Sequence, residues 1–266
     1  MKKLKIAINI LGHKHRDFDS SALLKWSSAL WEVHDNKIDT IALSGNCDLI
    51  EDWAYSDRLL CSRTTTTEGA DISIFILNAP LQDRYYSRRI ATNVVCISFH
   101  EVSEPLKSHN IPMENFVLRM IYNCVLLYAR KKKVPSIIEL ASISHHETKG
   151  CIFDMTGIQA QVVFSCDRPI LCESCIAESK EDKVSQEFLS DFTKEIKRIK
   201  KRRYYQIADW IKRAPLLALF LSSFLALIIG ILGSLTASYI YEKINNSSNE
   251  VPVVTIPTSP SPEPKL

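Results

Sequence analysis

Two pairs of residues in the second half of the chain have the types and spacing of a metal site. His146 and Cys151 form one close pair, and Cys172 and Cys175 form a C-x-x-C pair further along the chain. Thiolates and imidazoles are ligands that Zn²⁺ prefers, and four of them complete a tetrahedron around the ion. We therefore expect His146, Cys151, Cys172 and Cys175 to bind a structural Zn²⁺ that leaves no open position for a substrate.

The fourth ligand is the least determined of this set, because His145 and Cys166 could take the place of His146. In a cytosolic domain disulfides are disfavoured, and close cysteine pairs then favour a metal. The C-x-x-C pair could also be redox-active, although its flanks lack the strand and helix of a thioredoxin-like motif. The remaining cysteines are predicted to be small buried residues: Cys47, Cys61, Cys96 and Cys124.

A second interpretation places a hydrolytic site around Cys151. His145, Glu147 and Asp154 could bind a catalytic metal, and a Cys–His hydrolase also stays open because its partners need not be neighbours in sequence. We favour simpler roles, with Glu147 as a solvated loop residue and Asp154 as an acceptor in a turn. The chain contains no G-x-G-x-x-G, phosphate-loop or G-x-S-x-G motif, which argues against the common nucleotide-binding and serine-hydrolase classes.

A basic and aromatic segment after a predicted strand is a candidate ligand-binding patch. Arg84, Arg88 and Arg89 are interleaved there with two tyrosines. Such a patch could bind an anion such as a nucleotide, but patches of this kind are more often solvated surface. We keep anion binding as an alternative for these three arginines.

The elements that must position these residues indicate an α/β fold over residues 1–193. Apolar runs of strand length, bounded by turn residues, predict strands over Lys5–Leu11, Ile41–Leu43, Ile72–Leu77, Val94–Phe99 and Ala160–Phe164. Apolar residues at helical spacing predict helices over Ser20–Val33, Met113–Lys132 and Val184–Ile199. We expect the last of these helices to continue towards the C-terminal part of the chain as a stalk.

The C-terminal part contains a candidate membrane span. Leu216–Ile240 is an uncharged stretch of 25 residues, mostly Leu, Ile, Ala and Phe. At 1.5 Å per residue, such a helix crosses a hydrocarbon core of roughly 30 Å with some tilt, and it is longer than most buried helices. Gly230 and Gly233 lie three residues apart, so they do not form the G-x-x-x-G pattern of closely packed helix pairs.

The modest overall charge conceals a strongly basic segment beside this stretch. The chain carries +3, but nine basic and two acidic residues give Lys194–Arg213 a charge of +7, and the rest carries −4. The positive-inside rule then places residues 1–213 in the cytosol and the tail outside. A nucleic-acid-binding role for this run is disfavoured because the run adjoins the span. The residues expected to form a membrane-facing collar are Lys200, Lys201, Arg202, Arg203, Trp210, Lys212 and Arg213.

These patterns divide the chain into four parts. Residues 1–180 are expected to form an α/β (α+β) domain with a small structural zinc site, and residues 181–213 an amphipathic to basic helical stalk. Residues 214–241 are the expected transmembrane helix. Residues 242–266 form a tail that is too rich in Pro to pack and is expected to be disordered.

The order of these features resembles that of the archaemetzincins, small zinc-metalloprotease-like proteins with a mixed α/β fold. The family pattern is H-E-x-x-H-x-x-G-x-x-H-C-x4-C-x-M followed by a C-x-x-C pair, and the similarity covers about residues 94–175. The resemblance implies that His145 stands at the last catalytic-zinc histidine and that His146 replaces the first cysteine of the structural zinc site. It implies that Cys151, Cys172 and Cys175 keep the other three positions.

The departure from the family pattern concerns catalysis. H-E-x-x-H requires two histidines four residues apart on a helix and a glutamate that activates water. The corresponding helix here, Met113–Lys132, contains no histidine, and the motif occurs nowhere in the chain. The resemblance therefore implies a pseudo-metalloprotease that keeps the structural zinc and lacks the catalytic one.

We therefore expect a tail-anchored, single-pass protein of the bacterial inner membrane whose cytosolic zinc domain binds or senses a ligand. A prokaryotic defence or signalling component is one form of this expectation. Its expected partners are the lipid bilayer and either another protein or a second copy, joined through the membrane helix, and no nucleic acid. The alternative is a membrane-anchored, metal-dependent hydrolase or peptidase that uses residues around His145–Asp154.

Overall fold

The computed structural model describes residues 2–43, 45–140, 143–145, 148–154 and 159–248. The chain divides into two compact units, Met1–Tyr205 and Gln206–Leu266. The first unit contains the sheet, the core and the candidate metal ligands, and the second consists mainly of helix.

A five-stranded mixed sheet organises the first unit. Its strands are β1 (Leu4–Leu11), β2 (Trp31–Ile41), β3 (Ile72–Leu77), β4 (Ser87–Ala91) and β5 (Val94–Ser98). The strand order is β2-β1-β3-β5-β4, with β4 antiparallel at one edge and the other four strands parallel. Strands β1, β3 and β5 are nearly continuous apolar runs because both faces of a central parallel strand are covered.

Helices and short turns connect and cover this sheet. The helices of the first unit are α1 (Ser20–Leu24), α2 (Asp57–Arg63), α3 (Ser103–Ser108), α4 (Met113–Lys131), α5 (Val162–Cys166), α6 (Glu173–Glu181) and α7 (Gln186–Ile196). Helix α8 (Arg203–Arg213) begins at the end of this unit, and α9 (Pro215–Ser248) follows it.

Helix α4 is the central helix of the core. Pro112 precedes its first turn, and Lys132, with φ 61°, ends it in the left-handed conformation that commonly terminates helices. Its first ten residues are all buried. A helix buried on every side carries few charges, so the two charged residues within this stretch, Glu114 and Arg119, require specific partners.

The structure confirms the predicted α/β class and corrects three of the predicted elements. The strands expected over Lys5–Leu11, Ile72–Leu77 and Val94–Phe99 are β1, β3 and β5, and the helix expected over Met113–Lys132 is α4. The helix expected over Ser20–Val33 is wrong beyond Leu24, because Trp31 begins β2 and pairs with Leu4 of β1.

The strand expected over Ala160–Phe164 is also wrong. The chain there forms a 3-10 turn followed by α5, in which Val162, Val163 and Cys166 are buried while Phe164 is 51% exposed. Burial at these spacings follows one face of a helix, whereas a strand would alternate. The strand expected over Ile41–Leu43 contributes only Ile41, as the last residue of β2.

Helix α7 packs into the first unit. Phe188, Leu189, Phe192 and Ile196 are buried on one face, which is the face that the helical spacing predicts. The first unit therefore continues to Tyr205, whereas the sequence placed the start of a stalk at residue 181.

The second unit contains one helix that is long and apolar enough to cross a membrane. Pro215–Asn245 spans 31 residues with a mean hydropathy of 2.6, and none of its most apolar part is buried. A soluble protein would cover such a surface, so this exposure is consistent with a tail anchor near the C-terminus.

Candidate functional site

Four metal-binding side chains converge in the first unit. The ligand atoms of His145, Cys151, Cys172 and Cys175 all lie within 4.8 Å of one another. His145 Nε2 is 3.2 Å from Cys175 Sγ and 3.3 Å from Cys172 Sγ, and the sulfurs of Cys151 and Cys175 are 3.9 Å apart. Two Zn–S bonds of ~2.3 Å at a tetrahedral angle place their sulfurs ~3.8 Å apart, so this group has the dimensions of a zinc site.

Helix α6 positions two of the thiols. Cys172 is its N-cap residue, and Cys175 lies in its first turn, so both sulfurs are close to the N-terminus of the helix. The C-x-x-C spacing therefore presents two ligands from one helix turn.

A tight turn positions Cys151. Gly150 has φ +87°, and a Cβ there would lie 3.1 Å from the carbonyl oxygen of Phe164. Two backbone hydrogen bonds, from Ile152 N to Ile170 O at 2.9 Å and from Ile170 N to Gly150 O at 3.0 Å, join this turn to the segment that leads into α6. The turn thereby holds Cys151 beside the two thiols of the helix.

The electrostatics of the group fit a divalent cation. The contact with Cys175 lowers the pKa of the Cys151 thiol, and the same contact raises the pKa of Cys175. Three crowded sulfurs cannot all become thiolates without a positive charge among them, and Zn²⁺ supplies that charge. The donor set, its spacing and its burial therefore fit Zn²⁺, with three thiolates and one imidazole as ligands.

The imidazole of this group is His145, which the sequence analysis kept as an alternative to His146. His145 N donates a hydrogen bond to Phe153 O at 3.2 Å, and this contact holds the ring beside the thiols. The resemblance had placed His145 at a catalytic-zinc position, whereas its ring lies here beside the thiols of Cys172 and Cys175. His146 and Glu147 lie outside the described residues.

The remaining cysteines do not join the group. Cys166 is fully buried in the core, where burial raises the pKa of its thiol to about 12. Cys96 and Cys124 are buried as predicted. Cys61 is exposed and Cys47 is only partly covered, so the prediction of burial is wrong for these two.

Asp154 closes the metal-binding turn. Its side chain is buried, and Oδ2 accepts a hydrogen bond from Gly150 N at 3.1 Å. Its backbone oxygen accepts a hydrogen bond from Arg119 Nη2 at 3.0 Å. These contacts match the role of a turn acceptor that the sequence favoured for Asp154, and they link the metal group to helix α4.

A cleft of about 400 Å³ lies on the other side of this turn. Strand β4, helix α4 and the segment 152–154 form its walls, and its lining includes Tyr85, Arg88, Arg119, Met120, Asn123 and Phe153. Asn123 Nδ2 donates to Ile152 O at 3.2 Å, which ties α4 to the metal-binding turn. The cleft and the metal group therefore share a wall.

Arg119 is the charged group of α4 in this cleft. It is 2% exposed, its guanidinium lies over the ring of Tyr86, and Nη1 contacts Met120 Sδ at 2.9 Å. Arg119 was not among the residues selected from the sequence. Its signal was a charge between Phe116 and Tyr122 in a mostly apolar helical stretch.

The three arginines selected from the sequence are held by the fold in different ways. Arg88 lines the cleft and forms a bidentate ion pair with Asp57, which raises the pKa of its guanidinium. Arg89 also lines the cleft and donates to Pro135 O at 2.9 Å. Arg84 is 61% exposed, lies outside this cleft, and approaches Glu101 at 3.5 Å.

Comparison with solved structures finds a chain of partly similar fold. A crystal structure of archaemetzincin from Methanopyrus kandleri is similar over 68% of this chain and 96% of that chain, with 14% sequence identity and a TM-score of 0.40. No protein-family model and no curated protein sequence matches the chain. The resemblance is thus a partial likeness of fold.

Proposed function

We propose that this chain is a membrane-anchored binding or sensing module whose soluble unit is stabilised by structural zinc and has no protease activity. The observation that carries the proposal is the closed group of His145, Cys151, Cys172 and Cys175. Four protein ligands fill a tetrahedral zinc site, so a metal held there has no position for water or substrate. Such a metal supports a fold instead of a reaction.

Helix α4 supports the absence of a protease centre. In an H-E-x-x-H helix, histidines four residues apart face the metal and the glutamate beside the first one activates water. The residues of α4 that line the cleft at this spacing are Arg119 and Asn123, with Met120 next to Arg119. None of these side chains can serve as a zinc ligand of that type or as a general base.

The C-terminal helices support the membrane anchor and its orientation. Helix α8 has exposed apolar residues at helical spacing among and beside the residues of the membrane-facing collar. These residues are Tyr204, Ile207, Trp210 and Ile211. A helix with one apolar face and many Lys or Arg residues suits a membrane interface, where anionic headgroups attract the basic groups. Combined with the positive-inside rule, this pattern supports a topology in which the first unit lies in the cytosol and the tail outside.

The proposed setting is the inner membrane of a bacterium. The soluble unit would bind a signal there, and the anchor would join a protein partner or a second copy in the membrane. A defence or signalling component is the form of this proposal that best uses one sensing unit and one helix. We assign no nucleic-acid partner, because the basic run adjoins the candidate span.

The experiment that tests this proposal uses the full chain purified in detergent under reducing conditions. Metal analysis should find about one zinc per chain, and Cys172→Ser should reduce that content while Cys61→Ser, a change at an exposed cysteine, should not. The same preparation should cleave no protein substrate, with or without added zinc. Absence of zinc from the reduced protein would contradict the proposal, and protease activity that Asp154→Asn removes would favour the hydrolase alternative.

Orientation is tested separately in cells. A reporter that is active only outside the cytosol should be active when it is fused after Leu266. The same reporter fused before residue 2 should be inactive. The reversed pattern would contradict the proposed topology and leave the zinc assignment in place.

A further inference from the structure

The cleft beside the metal group contains a buried cation with an unsatisfied donor. Arg119 Nε is buried and makes no hydrogen bond in the described part of the chain. Its two other nitrogens contact a backbone oxygen and a thioether sulfur, which is a weak acceptor. This buried guanidinium therefore keeps one unsatisfied donor among the described residues.

The charge of the Asp154 side chain favours the charged form of Arg119, but the direct contact between the two residues does not involve the carboxylate. The contact between Asp154 and Arg119 is made by the backbone oxygen of Asp154, while Oδ2 of its carboxylate accepts from Gly150 N. No ion pair of Arg119 occurs among the residues that the structure describes. Burying a cation without an ion-pair partner costs several kcal/mol, so a fold that keeps one gains something from it.

The surroundings of Arg119 suit a small ligand. The cleft of about 400 Å³ falls within the range of small-molecule sites. Its lining combines apolar residues, such as Phe153 and Met120, with charged ones, of which three are arginines (Arg88, Arg89 and Arg119) and two are aspartates (Asp83 and Asp154). Met120 is flexible, so its sulfur can yield its place near the guanidinium to a stronger acceptor.

We propose that this cleft binds a small oxyanion, a carboxylate or a phosphate, and that Arg119 is its cationic anchor. Guanidinium groups form their strongest hydrogen bonds with these two anions, because the planar fork of donors matches their oxygens. The inference rests on the proposed function and names the ligand class that the binding module takes. The metal-binding turn forms one wall of the cleft, so the zinc group also shapes this site.

Thermal unfolding and calorimetric titration of the zinc-loaded full chain in detergent test this assignment. The probes are inorganic phosphate and acetate, each compared with chloride at equal ionic strength. We expect at least one of the two oxyanions to bind and to raise the unfolding temperature of the wild-type chain. The anion with the larger effect identifies the ligand as phosphate-like or carboxylate-like.

Three variants separate Arg119 from general surface charge. Arg119→Met should abolish the oxyanion effect, and Arg119→Lys should weaken binding at least about tenfold because an ammonium lacks the planar fork. Arg84→Met, which removes an exposed arginine outside the cleft, should bind like the wild type. If Arg119→Met does not fold, the Lys variant still decides the result, since unchanged affinity in that variant would overturn the assignment.

The outcomes distinguish this inference from the proposed function. Failure of both oxyanions to bind the wild-type chain at about 50 mM, far above the millimolar range of weak sites, overturns the oxyanion site. Equal binding by the wild type and Arg119→Met does the same, because it shows an adventitious surface effect. A chain that binds oxyanion through Arg119 but holds no zinc supports the inference and contradicts the proposed function.

Discussion

Two buried charged residues of the first unit, Glu195 on α7 and Arg119 on α4, have opposite hydrogen-bonding environments. Glu195 is 6% exposed and accepts hydrogen bonds from Ser28 Oγ and Ala29 N at 2.6 Å and from Tyr122 Oη at 2.7 Å. Arg119 is 2% exposed and leaves Nε without a partner among the described residues. The protein supplies hydrogen-bond donors to the Glu195 carboxylate, whereas the Arg119 guanidinium keeps one donor unsatisfied.

The contrast separates a structural charge from a ligand-binding one. The carboxylate of Glu195 joins α7 to the start of β2 and to α4, so its hydrogen bonds hold three elements together. Buried polar groups that stabilise a fold are satisfied by that fold. A buried charge that is left partly unsatisfied is typical of a site that completes its hydrogen bonds with a ligand.

Loss of the metal should have the largest effect on stability. It should destabilise the surroundings of Arg119 before those of Glu195. Structural zinc contributes on the order of 10 kcal/mol to the folding of small zinc domains. Cys172→Ser should therefore unfold much of the first unit, as measured by circular dichroism of the full chain. Hydrogen exchange should show the first loss of protection near Arg119, which contacts the metal-binding turn, and a later loss near Glu195.

The control for this change is Cys61→Ser, which removes an exposed thiol that has no metal-site partner. It should leave the circular dichroism spectrum and the exchange pattern unchanged. A Cys172→Ser chain as stable as this control would show that the metal group is not structural.

Removal of the Glu195 carboxylate should have the next largest effect. Glu195→Ala leaves three donors without this acceptor, two of them on the buried residues Ser28 and Tyr122, and we expect a loss of about 3 kcal/mol in the free energy of unfolding. The measurement is the unfolding midpoint of the full chain, with Glu187→Ala on the exposed face of α7 as the control. Equal midpoints for the two variants would remove the distinction between Glu195 and an ordinary surface carboxylate.

Tyr122→Phe tests one hydrogen bond of the same network. Burial and the hydrogen bond to Glu195 raise the pKa of Tyr122, so its hydroxyl stays protonated and remains a donor. Its removal should cost about 1 kcal/mol, and Tyr128→Phe on the same helix should cost less. In combination with Glu195→Ala the two losses should be less than additive, because both changes remove the same contact.

Most of the sheet follows from the sequence, because β1, β3 and β5 are uninterrupted apolar runs bounded by turns. The wrongly predicted elements share a cause. A short apolar segment fits the residue period of a strand and that of a helix equally well. Val162, Val163 and Cys166 suit a strand by composition, and only packing of the buried face shows a helix. Tertiary contact overrides local propensity in such segments.

The sequence predicted Cys151, Cys172 and Cys175 as ligands together with one histidine. Adjacent histidines point in different directions from the chain, so spacing alone cannot choose between His145 and His146. The hydrogen bond from His145 N to Phe153 O, which holds His145 beside the thiols, depends on the folded metal-binding turn and cannot be read from spacing. The two buried charges had a weaker signal, since each lies on an apolar face: Glu195 falls between Phe192 and Ile199 at helical spacing.

The Arg119→Met change directly tests the difference between Glu195 and Arg119. Its effect on the free energy of unfolding should be small or favourable. The change removes a buried charge with one unsatisfied donor and fills the same volume with an apolar chain, which in other proteins is often neutral or stabilising. We expect the free energy of unfolding to change by less than about 1 kcal/mol in the absence of oxyanions. A loss as large as that of Glu195→Ala would make Arg119 a structural charge too.

Replacement of the exposed Glu139 should have the smallest effect on stability. It serves as a reference for the replacements of the buried residues Glu195 and Arg119. Hydrogen bonds from Lys133, Ser136 N and Thr92 Oγ1 lower the pKa of Glu139 to about 2. A carboxyl group with a lower pKa in the folded chain stabilises the fold above its unfolded pKa of about 4.3 and loses this contribution as the pH falls towards 2. The unfolding temperature should therefore fall less steeply over this interval in Glu139→Gln than in the wild type, and only slightly so, because solvent screens an exposed group. Parallel pH profiles for the two proteins would show that the hydrogen bonds of this loop contribute nothing to stability, in contrast to those of Glu195.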